Sequence, residues 1–287
     1  MHAFDYARPA SVAEAVALLA EHGAGARVLA GGTDLVIRLR DGTLTPSLVV
    51  DVKRIPELRP RIDLVDGILS ITAGTTMTDV ASDTRVRRHF PALAEAAEVV
   101  GSVQIRNRAT LAGNVCNASP AADTAPPLLV YGAAVVAAGP AGERRISLDD
   151  LFVRSGQTTL AAGEVVTRLE LPVPPRRMGA THVRRTRRRG HDLASVTLCC
   201  AVDEAGVTRI AYGSVGPRPV LEVDESGVLA DPAGSAEAKT ALLERMLAAA
   251  SPSPRSMRAS PEYRLAMLRV LANRALRTAI ERQAEAE

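Results

Sequence analysis

The segment SVAEAVALLAEHG sets Val12, Val16, Leu19 and Ala20 at helical spacing, with Ser11 as a cap, Glu14 in capping-box position and Gly23 as a stop. The next apolar run, ARVLA, is too short for a helix and reads as a strand. TDLVIRLRDG reads as a helix capped by Thr33 or Asp34 and ended by Gly42, and SLVVDV as another strand, so the order is helix, strand, helix, strand. Over IDLVDGILSITAG (62–74) the period falls to two, which predicts a hairpin turning at Asp66-Gly67; TMTDVASDTRVRRHFPALAEAAEVV then returns to helical patterns behind its caps. Pro172, Pro174 and Pro175 break the pattern, and beyond them strand-like segments lie near 181–189, 194–202 and 207–215, followed by helices. The last helix, PEYRLAMLRVLANRALRTAIERQ, places Leu268, Leu271, Ala275 and Ala279 on one face, with Arg264, Arg269, Arg274 and Arg277 mostly elsewhere. The class is α+β, with a domain boundary at the prolines.

Composition narrows the function classes. At 287 residues and 47% hydrophobic, the chain can bury one large or two modest cores. Its longest apolar run, Leu128 to Ala138, falls far short of the roughly 20 residues of a membrane helix, and the opening MHAFDYARPASVAEAV has neither a basic start nor an apolar signal core. A cytoplasmic location follows as the expectation. Cys116, Cys199 and Cys200 lack CxxC spacing and are too few for a four-ligand cluster, so buried free thiols are expected. The five histidines show no metal spacing and read as surface or capping residues. A net charge of +3 does not indicate nucleic acid. The arginines at 184, 185, 187, 188 and 189 would be spread over two faces by strand alternation, and no aromatic residues interleave with them for base stacking.

Two stretches carry candidate chemistry. In AGGTDL, Gly31 and Gly32 allow close approach of a ligand and unusual dihedrals ahead of a helix start, which suits a diphosphate; the same residues also make a serviceable turn with a helix cap. GAGARV (23–28) fails the dinucleotide pattern, because Val28 stands at the third glycine position and a helix precedes it instead of a strand. The second stretch, QIRNRATLAGNVCNASPAADTAPPLLVYGA (104–133), reads as a long loop that approaches something polar. Gly113 and Asn114 offer amides, Thr110 and Ser119 hydroxyls, and Asp123 an acceptor for sugar or polyol hydroxyls, while Pro120, Pro126 and Pro127 stiffen the path.

Both stretches, in this order and separation, resemble the flavin-binding subunit of molybdenum hydroxylases, the xanthine dehydrogenase and carbon monoxide dehydrogenase family. The likeness extends to FDYARPASVAEAVALL, ELPVP, RRRGHDLASV and SPEYRLAMLRVLANRAL. It implies a two-subdomain FAD-binding domain of the vanillyl-alcohol-oxidase-like (PCMH) type over 1–175, with subdomains of about 1–54 and 55–175. A smaller C-terminal domain over 176–287 would hold a three-stranded antiparallel sheet and helices. Carried over by position, Leu29, Ala30, Gly31, Gly32, Thr33, Asp34 and Leu35 would surround the FAD diphosphate, with Asp34 capping the helix through its side chain and offering only its amide. Thr110, Leu111, Ala112, Gly113 and Asn114 would form the second loop, and Asp123 would meet the flavin polyol chain. Ala112 replaces the usual second glycine, a harmless change if its φ is negative. Leu160 and Arg184 are the nearest matches to a leucine and a lysine beside the flavin ring, and Arg for Lys keeps the charge but alters the geometry.

The same resemblance implies that molybdopterin and iron-sulfur clusters reside on a large and a small partner subunit in a dimer of heterotrimers. No catalytic acid, base or metal ligand is expected here. Thr33-Asp34 and CNASPAADTAP are more similar to xanthine dehydrogenase types than to carbon monoxide dehydrogenases, which often have His-Ser after the paired glycines; a purine or related heteroaromatic substrate follows as the expectation. The alternatives are a self-contained FAD oxidoreductase, such as an enolpyruvyl-sugar reductase, a subunit of a carbon monoxide or aldehyde dehydrogenase complex, and a non-enzymatic scaffold that kept the fold.

Overall fold

The computed structural model describes residues 2–188 and 190–285; Arg189, in the basic run, lies outside the described residues. The chain opens with β1 (Asp5–Ala7), α1 (Val12–His22), β2 (Ala26–Leu29), α2 (Leu35–Asp41) and β3 (Leu48–Asp51). The helix, strand, helix, strand order is present, preceded by β1, and the three strands form a parallel sheet in the order β1-β3-β2. Ser11 Oγ accepts from the Glu14 amide (3.1 Å), while the Glu14 carboxylate reaches the amide of Ala10 (2.7 Å), one residue before the cap. The buried stripe of α1 is Ala15, Val16 and Leu19; Val12 is only partly covered and Ala20 is exposed.

The second sheet begins with β4 (Ile62–Val65) and β5 (Ile68–Thr72), joined through Asp66 and Gly67 at φ 50° and 74°. Paired positive φ values at a two-residue turn are what an Asp-Gly hairpin supplies. Short helices follow: α3 (Met77–Ser82), α4 (Thr84–His89), α5 (Pro91–Glu98), α6 (Val103–Arg106), α7 (Leu111–Cys116) and α8 (Ala125–Val130). Thr76 and Asp79 form a reciprocal capping box that starts α3. After β6 (Ala134–Gly139), β7 (Gly142–Ser147), α9 (Leu148–Leu151), β8 (Phe152–Arg154) and β9 (Gln157–Thr158), β10 (Val165–Pro172) enters the middle of an antiparallel sheet ordered β4-β5-β10-β6-β7. Leu69, Ile71, Leu93, Leu128, Val135 and Leu169 are among the fully buried side chains of its core.

Beyond the prolines, β11 (Met178–Arg185), β12 (Val196–Asp203), β13 (Thr208–Gly213) and β14 (Val220–Asp224) make a four-stranded antiparallel sheet, not the three strands expected. The fourth strand escapes the sequence pattern because Pro217 and Pro219 precede it directly and its first residues are only half-buried at the sheet edge. β12 is buried along its whole length because it is covered on both faces. Val196, Leu198, Cys200 and Val202 face α10 (Ala236–Met246) and α11 (Pro261–Glu285), whereas Cys199 and Ala201 join the first core. All three cysteines are free thiols, and burial pushes the Cys116 thiol up to about 12. The apolar face of α11 carries Leu268, Leu271, Ala275 and Ala279 as expected, but Arg264 belongs to it as well, at 4% exposure. Among the described residues no helix is long and apolar enough to cross a membrane.

Candidate functional site

The first glycine loop lies between β2 and α2. Gly31 has no room for a side chain: a Cβ there would overlap the Arg108 carbonyl oxygen and stand 2.8 Å from its carbon and 3.0 Å from Ala109 Cα. The close approach that requires this glycine is therefore that of the second loop's backbone. Gly32, at φ 79°, supplies the left-handed turn. The helical ladder of α2 starts with the Val36 amide donating to the Gly32 carbonyl (3.0 Å), so the amides of Thr33, Asp34 and Leu35 stand ahead of it. Asp34 occupies the cap position without a side-chain cap bond, contrary to expectation. Its backbone is already helical (φ −100°, ψ −46°), whereas side-chain capping needs an extended residue there. Asp34 is exposed, Leu29, Ala30, Thr33 and Leu35 are partly covered, and α2 ends at Gly42 in a left-handed cap as read.

Half of the second stretch is helical, in contrast to the loop expected. Thr110 Oγ1 caps α7 by accepting from the Gly113 amide (3.0 Å), and the backbone around it is pinned to the head of α3 by Leu111 N to Thr75 O (3.1 Å) and Met77 N to Ala109 O (2.8 Å). Leu111 and Ala112 are buried, and Ala112 lies within α7, where φ is negative, so the lost glycine is accommodated. Asn114 Oδ1 accepts from the Thr124 hydroxyl (2.7 Å), next to Asp123. Arg38 of α2 donates to Asn117 Oδ1 (3.0 Å), a second tie between the two stretches.

The structure brings Asp123 and Arg184 together although 61 positions separate them: Arg184 Nη1 donates to Asp123 Oδ2 at 2.6 Å. The main chain beside Asp123 is fastened to the C-terminal sheet by Ser214 N donating to Pro120 O (2.6 Å). Asp123 is 6% exposed, and its second oxygen, Oδ1, makes no hydrogen bond of normal geometry among the described residues, although the nearby Thr197 hydroxyl favours the ionised carboxylate. Leu160 stands apart from this pair in sequence, half-buried against the first core after β9. Sequence reading missed two residues here. His182, expected at the surface, is buried; its Nε2 shares a hydrogen bond with Thr197 Oγ1 (2.9 Å) and lies 3.7 Å from Asp123 Oδ1. Burial, with help from the Arg184 charge, pulls the imidazole down to about 3, so it is neutral at pH 7. The signal was the alternation in THVRR, which puts His182 and Arg184 on one face of β11. Glu95 of α5 accepts from the His182 amide (2.8 Å) and pairs with Arg282 (2.6 Å), holding the sheet onto the first core.

Burial raises the Asp123 carboxyl to about 6, outweighing the opposing pull of Arg184. A carboxyl raised on folding contributes stability that is full below its unfolded value of 3.8 and is lost as pH rises through about 6. Asn at this position keeps an oxygen for Arg184 and never ionises. Without flavin, the wild type should therefore lose thermal stability relative to Asp123→Asn between about pH 4 and about pH 7. Thermal melts of both proteins across that range check this; a constant difference would refute the raised carboxyl. Among the described residues no group of three or more His, Cys, Asp or Glu is placed to hold a metal ion.

Residues 2–174 match the family model for the FAD binding domain in molybdopterin dehydrogenase, and 181–279 that for the CO dehydrogenase flavoprotein C-terminal domain. The chain is 30% identical to the xanthine dehydrogenase FAD-binding subunit of Escherichia coli O157:H7, with 96% of this chain and 97% of that one covered. It is 31% identical to the carbon monoxide dehydrogenase medium chain of Hydrogenophaga pseudoflava, with 96% of each covered. Its fold superposes on a solved carbon monoxide dehydrogenase structure from Hydrogenophaga pseudoflava, which lacks the Mo-pyranopterin moiety of its cofactor, with a TM-score of 0.90, 30% identity and 98% of each chain covered. The protein thus belongs to the family of FAD-binding subunits of molybdopterin dehydrogenases, oxidoreductases of the xanthine and carbon monoxide dehydrogenase type.

Proposed function

We propose that this chain is the electron outlet of a multi-subunit molybdenum hydroxylase, taking electrons from iron-sulfur clusters on a small partner and delivering them to an external acceptor. The large partner would carry molybdopterin and the substrate site, in a dimer of heterotrimers. The observation that carries the reading is the orphaned Oδ1 of Asp123, a buried acceptor beside the second loop that a flavin polyol hydroxyl would satisfy. The residues fit FAD in two further respects. Amides of Gly32 to Leu35 are available to a diphosphate, and the exposed Asp34 carboxylate makes no cap bond that would hold it at the phosphates. The bound flavin would supply the redox chemistry, while the side chains position it and set its local charge. Arg184, held by Asp123, would present a fixed positive charge, and neutral His182 would keep the pair oriented from below. We assign 1–175 to the FAD-binding domain, with subdomains of about 1–54 and 55–175, and 176–287 to the C-terminal domain.

The purified chain should hold FAD yet show no bleaching of the flavin by substrate until both partners are added. Bleaching by the chain alone would overturn the subunit reading. For the complex we favour a purine or related heteroaromatic substrate, a reading supported by Thr33-Asp34 after the paired glycines. Assaying the assembled complex with hypoxanthine, xanthine, aldehydes and carbon monoxide decides it, and turnover of carbon monoxide alone would refute it.

A further inference from the structure

On the face of the C-terminal sheet opposite Asp123 we propose a second ligand site, a cleft that binds a phosphate-type oxyanion. Alternation along β11 sends Arg184 to Asp123 on one face and Arg185 to the other, where its Nε donates to the Tyr263 hydroxyl (2.8 Å). There Arg185, Arg187, Ser195, Arg258, Ser260 and Tyr263 line an open cleft of about 420 Å³ between the end of β11, the start of β12 and the head of α11.

The positive charge around this cleft is largely unmatched. Asp192 pairs with Arg187 (2.9 Å), but no ion pair joins Arg185, Arg258 or Arg264 to a carboxylate among the described residues. Burial and the neighbouring Arg187 hold the Arg258 guanidinium below its ordinary range, Asp192 offsetting part of this; burial and Arg258 do the same to Arg264. Arg264 stands against the cleft wall: its Nε donates to the carbonyl of Ser195 (3.1 Å), while its Nη1 is buried with no acceptor. Arg264 does not line the cleft, but its uncompensated charge behind the wall adds to the positive potential that an anion in the cleft would meet. Ser260 caps α11 by accepting from the Tyr263 amide (3.3 Å), which places the cleft at the positive end of a 25-residue helix.

The guanidinium groups of Arg185 and Arg258, which no carboxylate among the described residues holds, border one small volume and match a multiply charged oxyanion. Tyr263 is the single aromatic side chain lining the cleft, so a stacked nucleic-acid strand is the poorer fit.

The test is calorimetric titration of the full chain, with and without FAD, using inorganic phosphate, pyrophosphate and ADP at constant ionic strength, with chloride as control. Saturable binding of pyrophosphate is expected, weakened about tenfold or more in Arg258→Gln and in Arg185→Gln, both substitutions outside the core. FAD retention and melting temperature should stay unchanged in both variants. Tighter binding of ADP than of pyrophosphate would identify a nucleotide as the source of the phosphoryl group; equal binding would identify the inorganic anion. Absence of saturable heat above the chloride control, binding indifferent to both substitutions, or release of FAD at the same midpoint would each overturn the site. Flavin absorbance reads FAD retention separately, so loss of the cleft and loss of the flavin reading are distinguishable.

Discussion

Gly31→Ala should abolish FAD retention and destabilise the chain by about 3 kcal/mol or more, the upper range for forced overpacking. The added methyl group would overlap the carbonyl oxygen of Arg108 and crowd Ala109 Cα at 3.0 Å, all backbone atoms that no rotamer change can move aside. Relief requires the two loops to separate. That separation would strain the Arg38 to Asn117 hydrogen bond and shift the residues leading into α7. Gly32→Ala is the informative contrast, since its methyl group meets only side chains, Leu29 at 3.0 Å and Val36 at 3.4 Å, and its main cost is the left-handed φ, about 1–2 kcal/mol. Thermal melts and FAD titration of the two variants measure the difference. Equal effects would mean that the contact between the loops does not set the requirement for glycine at Gly31.

Asp123→Ala is expected to cost about 3–5 kcal/mol of stability, the range found when one partner of a buried ion pair is removed. Arg184 would be left with no carboxylate, its side chain only 15% exposed. FAD affinity should fall as well under the proposed function, in which Asp123 accepts from the flavin polyol chain and holds the guanidinium. Asp123→Asn should recover most of the stability, since its oxygen still accepts from Arg184, but less of the affinity. Melting curves and flavin fluorescence titrations of the three proteins separate the two effects. If Ala and Asn behave alike, the charge of Asp123 and not its hydrogen bond sets the behaviour of the site.

The second stretch shows how local reading can misjudge the form of a segment. Thr110, Asn114 and Asp123 stand out in the sequence because small and polar residues accumulate there. The structure nonetheless coils half of that stretch into α6, α7 and α8, using the Thr110 hydroxyl as a cap and Asn114 as an acceptor for Thr124. Helices of four to six residues are too short to show a period, and their caps look like loop chemistry until the partners are known.

Features encoded within a few neighbouring residues were determined by the sequence alone. The Asp66-Gly67 hairpin, the Ser11 and Thr76 caps, the left-handed stop at Gly42 and the break at the prolines each depend on dihedral preferences or hydrogen bonds reaching no more than four residues. Family membership was legible for the same reason, since the glycine loops are contiguous motifs. Tertiary structure alone decided the contact of Gly31 with Arg108, the pairing of Asp123 with Arg184, the burial of His182 and Arg264, and the addition of β14 to the sheet. Each of these depends on which distant surface covers a residue, and the free energy of burying a charge or a backbone contact is set by that cover and not by chain neighbours. Arg264 makes the point within one helix: its position gives only the face of α11, and only the packing of that face onto β12 turns an ordinary arginine into a buried, unmatched charge.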